Sequence, residues 1–336
     1  MIYDFKENEF RKKQLLKMNI KDTSGKCAMI LLILSLSTFL AGTIIVYMLK
    51  IRAAMLGIEN SNEMILGVSN EAYNFLVGYL PCIIADIIVI SICGFVFRKR
   101  IKEYVSLRKE MSLNLIVSGS LASIGVGIIS SIIFLIYSYF INSRGIEIPS
   151  PDFSIPKNTT YLILFFSYTC VIAPVFEEII FRGYILNNMR RYGNIVAVIV
   201  SSIFFCMFHS NLVQFINPIL MGIMLSFIAI KSESILPSII IHMFNNTCAM
   251  LSTVITSGSS EWISALWAGC YYLAGIWLLV YFVLKYGKDF IQTINDKYKY
   301  LKISKKIFYC FINKWSIIYI LFYIVMVSIA IIAKNI

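Results

Sequence analysis

Residues 161–183 read YLILFFSYTCVIAPVFEEIIFRG, an apolar run that ends in two adjacent glutamates and an arginine. The run before Glu177 is long enough to form most of a membrane span. A charged side chain near the bilayer centre costs about 2.5–3.5 kcal/mol on insertion scales, so such groups usually face a bundle interior or a wet cavity. The simpler interpretation is that Glu178 and Arg182, four residues apart, form a solvated pair just past the helix end. The rest of the chain decides between a site inside the bundle and this solvated pair.

The composition indicates a polytopic membrane protein. The 336 residues are 59% hydrophobic and 14% charged, whereas soluble domains average about 25% charged residues. We therefore predict an all-α membrane bundle of about eight or nine transmembrane helices. The apolar segments are 27–49, 75–97, 113–141, a fourth from residue 161 into the two glutamates, 194–209, 212–230, 236–255, 263–284 and 315–333.

The positive charge of the chain is sorted by position. A net charge of +12 first suggests a nucleic-acid partner, but 25 of the 30 Lys and Arg residues lie in alternate interhelical segments. This is the pattern of the positive-inside rule, and it predicts a multi-pass cell-membrane protein with a cytoplasmic N-terminus and an outside C-terminus. The basic segments 1–26 and 285–314 also carry aromatic and aliphatic residues, which predicts juxtamembrane surface helices that bind anionic lipid. Residues 98–110 form a third basic segment.

These features divide the chain into four parts. Residues 1–26 are a cytoplasmic basic segment, 27–160 form three spans, 161–255 hold most of the polar intramembrane residues, and 256–336 form the C-terminal spans around the basic loop 285–314. Within the second part, Gly119, Ser123 and Gly127 repeat every four residues, which favours close helix approach. Asp86 lies in the second span, where its simplest role is a hydrogen bond to a neighbouring span.

Both histidines of the chain lie in apolar segments. His209 ends one such segment, one turn after Phe205. His242 precedes Asn246 by four residues, so the two share a helix face. A lone intramembrane histidine is usually satisfied by an interhelical hydrogen bond, but packing explains poorly why both lie within some seventy residues of an acid pair. The candidate site residues are Glu177, Glu178, Arg182, His209, His242 and Asn246.

This set of side chains suits hydrolysis. A carboxylate beside an imidazole can hold and deprotonate a water molecule, and a second imidazole with an amide can donate hydrogen bonds to an oxyanion. Zinc is the alternative, because Glu177, His209 and His242 would leave an open coordination position. The sequence has no H-E-x-x-H motif and asparagine is an uncommon zinc ligand, so we favour a reaction without a cofactor.

Three short motifs resemble those of the CPBP family, the CAAX-prenyl-protease and bacteriocin-processing membrane enzymes that are also called the ABI family. In this chain they are Glu177-Glu178-x-x-x-Arg182, Phe205-x-x-x-His209 and His242-x-x-x-Asn246, in the family's order. The resemblance covers about residues 161–255, so this part is the expected catalytic core. It implies an intramembrane endopeptidase that cleaves a peptide or membrane-anchored protein near the cytoplasmic side.

The resemblance also implies a role for each motif residue. Glu177 would activate water with the help of His209, and His242 with Asn246 would stabilise the oxyanion. The remaining motif residues would position these groups, with Glu178 and Arg182 as a pair and Phe205 packed beside a histidine. The substrate is either a prenylated CAAX protein or a secreted peptide, pheromone or bacteriocin precursor. The alternatives are a non-catalytic bacteriocin self-immunity or scaffold protein, and a proton-coupled transporter.

The expected depths of the motifs conflict. If residues 194–209 cross the membrane, His209 lies far from the inner face, whereas His242 lies near it. A common depth requires tilted or broken helices, or a first motif sunk in the membrane with residues 184–190 still inside it. Pro174, Pro218 and Pro237 would allow such breaks, because proline lacks a backbone donor.

Overall fold

A computed structural model describes residues 2–60, 64–97, 112–151 and 155–336, and nearly all of them are helical. The predicted all-α bundle is confirmed. A small antiparallel hairpin of β1 (Met64–Ile65) and β2 (Val68–Ser69) lies between the first two helices. The helices in the described ranges are α1 Ile2–Met55, α2 Asn70–Val96, α3 Leu113–Asn142, α4 Thr159–Tyr192, α5 Asn194–Phe208, α6 Ile216–Ser232, α7 Leu236–Gly258, α8 Glu261–Thr293, α9 Ile303–Phe311 and α10 Lys314–Asn335.

Seven helices of the described part are long and apolar enough to cross a membrane, so the chain is a multi-pass membrane protein. The helices α5 and α6 are apolar but have only 15 and 17 residues. At 1.5 Å per residue they measure about 22 and 25 Å, less than the hydrocarbon thickness of about 30 Å. The predicted count of eight or nine spans included both, and it is not confirmed. The two helices pack against each other as a hairpin.

The two basic surface helices take a different form from the one predicted. The first is the opening part of α1, which runs unbroken to Met55. It contains no proline, and Gly25 lets the helix approach the Asn313 side chain closely. The second is divided between the end of α8 and the short helix α9. The basic segment 98–110 lies outside the described residues.

The buried side chains form two hydrophobic clusters. The larger one joins α1, α2, α4, α5 and α10 through residues such as Leu31, Val89 and Phe181. The smaller one joins α3, α6, α7 and α8 through residues such as Leu225 and Ile241. Both clusters fill the half of the bundle that is nearer the basic segments, and this position decides where a cavity can form.

The small-residue stripe on α3 only partly matches the observed contacts. Gly119 admits the Ile241 side chain of α7, as predicted, but Gly127 has no neighbouring atom within 4 Å of an added Cβ. The closest approach is instead at Gly125, where an added Cβ would overlap the carbonyl group of Gly275 on α8. Because α3 packs against α7 at one point and α8 at another, its contact surface does not follow a strict four-residue repeat.

Candidate active site

A cavity of about 800 Å³ brings the predicted site residues together. Glu177, His209, His242 and Asn246 line it, although they come from α4, the α5–α6 loop and α7. The other two predicted residues, Glu178 and Arg182, lie behind this lining and are fully buried. The structure therefore gathers all six residues around one cavity.

The two glutamates of the first motif lie in the middle of α4, between the π-helical segments Tyr168–Ile172 and Ile179–Leu186, and Arg182 lies in the second segment. Such segments are rare and often occur at functional sites. The helix continues to Tyr192, so residues 184–190 extend it beyond the glutamates, which is one of the two predicted ways to reach a common depth. Pro174 lies two residues after the end of the first π-helical segment, and it offers no N–H for a regular helical bond.

His209 reaches the same depth because the chain turns there. Helix α5 ends at Phe208, His209 is its C-terminal cap, and Ser210 has a positive φ of 50°. The residue therefore lies at the tip of a short hairpin, inside the bundle. Of the prolines expected to break helices, Pro237 instead begins α7 and Pro218 lies in the first turn of α6. The break is thus a loop at the histidine itself.

The second glutamate forms a buried ionic network. Arg182 Nη1 donates to Glu178 Oε1 at 2.7 Å, and His242 Nδ1 lies 3.0 Å from the same oxygen. The glutamate and the arginine have no exposed surface, so the solvated pair considered from the sequence is wrong. The guanidinium carbon of Arg182 also lies 4.5 Å from the ring centre of Phe205, close enough for a cation–π contact. The network fixes one side of the His242 ring.

The hydrogen bonds assign the tautomer of His209. Its Nδ1 lies 2.9 Å from the carbonyl oxygen of Phe205. A carbonyl oxygen only accepts, so Nδ1 carries the proton and Nε2 keeps a free lone pair. The rings of Phe205 and Phe208 contact the imidazole edge to face, with centroids 5.0 and 5.5 Å away. His209 is therefore held as an oriented acceptor.

His242 lies between the two glutamates. Its Nδ1 faces the Glu178 carboxylate, and its Nε2 lies 3.7 Å from Glu177 Oε2. A carboxylate accepts hydrogen bonds, so Nδ1 donates to Glu178. Glu177, whose side chain is 15% exposed, turns the other way along α4 and faces the cavity.

Asn246 is oriented by the first π-helical segment. Its Nδ2 donates to the Thr169 carbonyl oxygen at 3.0 Å. That carbonyl lacks a helical donor, because the Ala173 N–H bonds to Tyr168 instead and Pro174 has no N–H. The irregular backbone of α4 thus creates the acceptor that positions Asn246, and one amide proton remains for another partner.

Sequence reasoning left Asp86 outside the site, but the structure places it in the cavity lining on α2. Its side chain is buried, and within the described ranges it forms no hydrogen bond or ion pair with another residue. The expected hydrogen bond to a neighbouring span is therefore absent there. The signal was present in the sequence, since a carboxylate in an apolar span indicates a functional position.

The cavity occupies the half of the bundle away from the basic segments. Its lining ends at Asp86 on α2 and Glu177 on α4, and it begins at Leu34 on α1 and His242 on α7. Past these residues, towards the Lys- and Arg-rich end, the helices are filled by the two hydrophobic clusters. With the predicted orientation, the cavity faces the outer half of the membrane, which differs from the expected cleavage near the cytoplasmic side.

In the described part of the chain, no three histidine, cysteine, aspartate or glutamate side chains are arranged to hold a metal ion. The zinc set of Glu177, His209 and His242 stays an alternative that metal analysis can test.

Comparison with known proteins gives a family match. Residues 159–248 match a family model described as Rce1-like, type II CAAX prenyl endopeptidase. Neither a curated protein nor a solved structure matches the chain significantly. The matched segment contains all three motifs and most of the polar cavity wall. The resemblance to the CAAX-protease family that the three motifs predict is therefore confirmed over residues 159–248.

Proposed function

We propose that the chain is an intramembrane endopeptidase that hydrolyses a peptide bond of a membrane-associated or precursor peptide. The observation that supports this most is the shared cavity, in which Glu177 and His209 face the same space as His242 and Asn246. The family match supports a protease in general. We assign the individual roles below from the geometry.

In the proposed reaction, Glu177 and His209 hold and activate the attacking water. The His209 Nε2 lone pair accepts one hydrogen bond from the water, and the Glu177 carboxylate accepts the proton that is lost on attack. The water oxygen then forms a bond to the substrate carbonyl carbon. The protonated Glu177 returns the proton to the leaving amine when the C–N bond breaks.

The opposite side of the cavity stabilises the negative oxygen of the tetrahedral intermediate. Asn246 offers its second amide proton, because the first is held by Thr169. His242 can donate from Nε2 only when both ring nitrogens carry protons, since the Nδ1 proton is bound to Glu178. Donors that are fixed before the reaction stabilise developing charge most effectively. Glu178 and Arg182 act as positioning residues beneath them.

The closing experiment is a cleavage assay in proteoliposomes with a panel of membrane-anchored reporter peptides, one of them prenylated. We expect Glu177→Gln and His209→Gln each to lower kcat by about 10²–10⁴-fold, since each removes an acid–base group. Glu261→Gln, a glutamate exposed at the start of α8, is the matched control and should cleave normally. Full cleavage by Glu177→Gln would remove that residue from the chemistry.

The same preparation separates the metal-free reaction from the zinc alternative. We expect cleavage to survive a chelator, and purified protein to contain less than one zinc per chain. Stoichiometric zinc that disappears in Glu177→Gln, with activity restored by added zinc, would favour the metal reaction with Glu177, His209 and His242 as ligands.

A further inference from the structure

Helix α2 contributes one stripe of residues to the cavity. Gly78, Tyr79, Cys82 and Asp86 follow helical spacing and all line it. Ile90, the next position on this face, packs against the larger hydrophobic cluster instead. Asp86 therefore lies at the closed end of the cavity, on a helix that carries none of the three motifs.

The carboxylate of Asp86 has no protein partner in the part of the chain that the structure describes. The residue is only 4% exposed, and its electrostatic neighbour is Glu177, which carries the same sign of charge. A carboxylate removed from water is costly unless a cation or hydrogen-bond donors satisfy it. Asp86 is therefore a buried acidic group for which the described chain supplies no counter-charge.

The cavity offers Asp86 no lysine or arginine, and the lining imidazole of His242 faces Glu178 and Glu177 instead. Among its described lining residues, the acidic ones are Asp86 and Glu177, and there is no lysine or arginine. The nearby Arg182 is already bound to Glu178. The cavity is therefore acidic, and the group that complements Asp86 must come with a ligand.

Two aromatic rings line the approach to Asp86. Tyr79 and Tyr168 have ring centroids 4.9 Å apart, and both face the cavity. Tyr79 lies two turns before Asp86, about 10 Å along the helix. Aromatic faces attract the charged heads of lysine and arginine and pack against their apolar stems. The rings and the carboxylate thus suit a long basic side chain.

We propose that Asp86 is the specificity residue of a subsite for a lysine or arginine side chain of the peptide substrate. The proposal rests on the proposed function and names its substrate class. The basic head binds Asp86, the stem lies along the tyrosines, and the scissile carbonyl is left at Glu177 and His209. Asp86 acts on substrate choice and takes no part in bond cleavage.

The test is a charge-swap experiment in proteoliposomes. Peptides with lysine, norleucine or glutamate at each position around the scissile bond are compared by kcat/KM. At one position we expect the wild type to prefer lysine over norleucine by about 10-fold to 100-fold. Asp86→Asn should abolish that preference, and Asp86→Lys should favour the glutamate peptide at the same position. A misfolded variant cannot produce such a reversal.

A binding measurement separates this inference from the proposed function. The lysine and norleucine peptides are titrated against Glu177→Gln and against Glu177→Gln with Asp86→Asn. Tighter binding of the lysine peptide that requires Asp86 supports the subsite even when no peptide is cleaved. Cleavage that depends on Glu177 but shows no charge preference, in the wild type or in Asp86→Asn, overturns the subsite and leaves the protease assignment intact.

Discussion

At the scale of single residues, the geometry of the site depends on the hydrogen-bond and ion-pair partners of its buried polar atoms. Arg182 is the largest fully buried side chain of the described part, and it neutralises Glu178. Its Nε and Nη2 have no hydrogen-bond partner among the described residues, so the Phe205 ring is their main neighbour. Removing one member of a buried pair leaves an isolated charge, whereas removing both charges often costs little.

We therefore predict that Arg182→Met alone lowers the free energy of unfolding by about 3–5 kcal/mol. Adding Glu178→Gln should recover most of this loss, because the buried negative charge disappears while an acceptor for His242 remains. Denaturant unfolding in detergent measures both. Lys13→Met, in the exposed Glu9–Lys13 pair of the same spacing, is the control and should be unchanged. A double variant no more stable than Arg182→Met would contradict the buried-charge explanation.

The sequence was sufficient to group the site residues but not to orient them. Composition and spacing predict that Glu177, His209 and His242 share one region, because charged and imidazole groups are costly in apolar spans. The Thr169 carbonyl is free to accept a hydrogen bond from Asn246 only because of a π-helical segment. Residue spacing in the sequence does not predict such a segment. Asp86 was visible as an intramembrane acid, but its cavity position depends on which face of α2 turns inward.

At the scale of helices, apolar runs predict the long elements well, because a spanning helix needs about 20 such residues. The segments 113–141 and 236–255 match α3 and α7 within a few residues. The runs that form α5 and α6 look similar by hydropathy alone. Tertiary packing makes α5 and α6 a short hairpin, because the polar residues of the loop between them form their hydrogen bonds inside the bundle.

Two glycines of α3, two residues apart, give a matched test of helix packing. We predict that Gly125→Leu destabilises the bundle by about 1–3 kcal/mol or more, because the side chain has no room against Gly275 on α8. Gly127→Leu should be tolerated, since it points into open space. Thermal unfolding in detergent compares the two variants. Equal destabilisation of both would mean that contact with α8 does not determine the result, because the better helix propensity of leucine should stabilise both variants.

At the scale of the whole molecule, the two ends of the bundle differ. One end carries most of the lysines and arginines of the described residues and is filled by hydrophobic clusters, while the other holds the cavity. The seven crossings of the described residues, or nine with the α5–α6 hairpin, put the two termini on opposite sides of the membrane, and the cytoplasmic N-terminus stays a prediction. The division at residues 26, 160 and 255 and the binding of anionic lipid by the basic segments stay predictions.

This arrangement predicts which reagents reach the cavity. In intact cells expressing a chain whose native cysteines are replaced, a membrane-impermeant maleimide should label Gln214→Cys in the α5–α6 loop. Lys297→Cys, at the basic end, should react only after the membrane is permeabilised. Labelling of the lysine position alone in intact cells would reverse the orientation and place the cavity on the cytoplasmic side.

The cavity wall also has a consequence for synthesis. Leu34 and Phe39 of α1 and Phe322 and Met326 of α10 face the same space, and the two helices pack against each other. The acidic and imidazole side chains of α4 to α7 are therefore synthesised before α10, the helix that completes the cavity wall beside α1. We therefore expect the proposed hydrolytic activity only after α10 has been synthesised and has packed against α1.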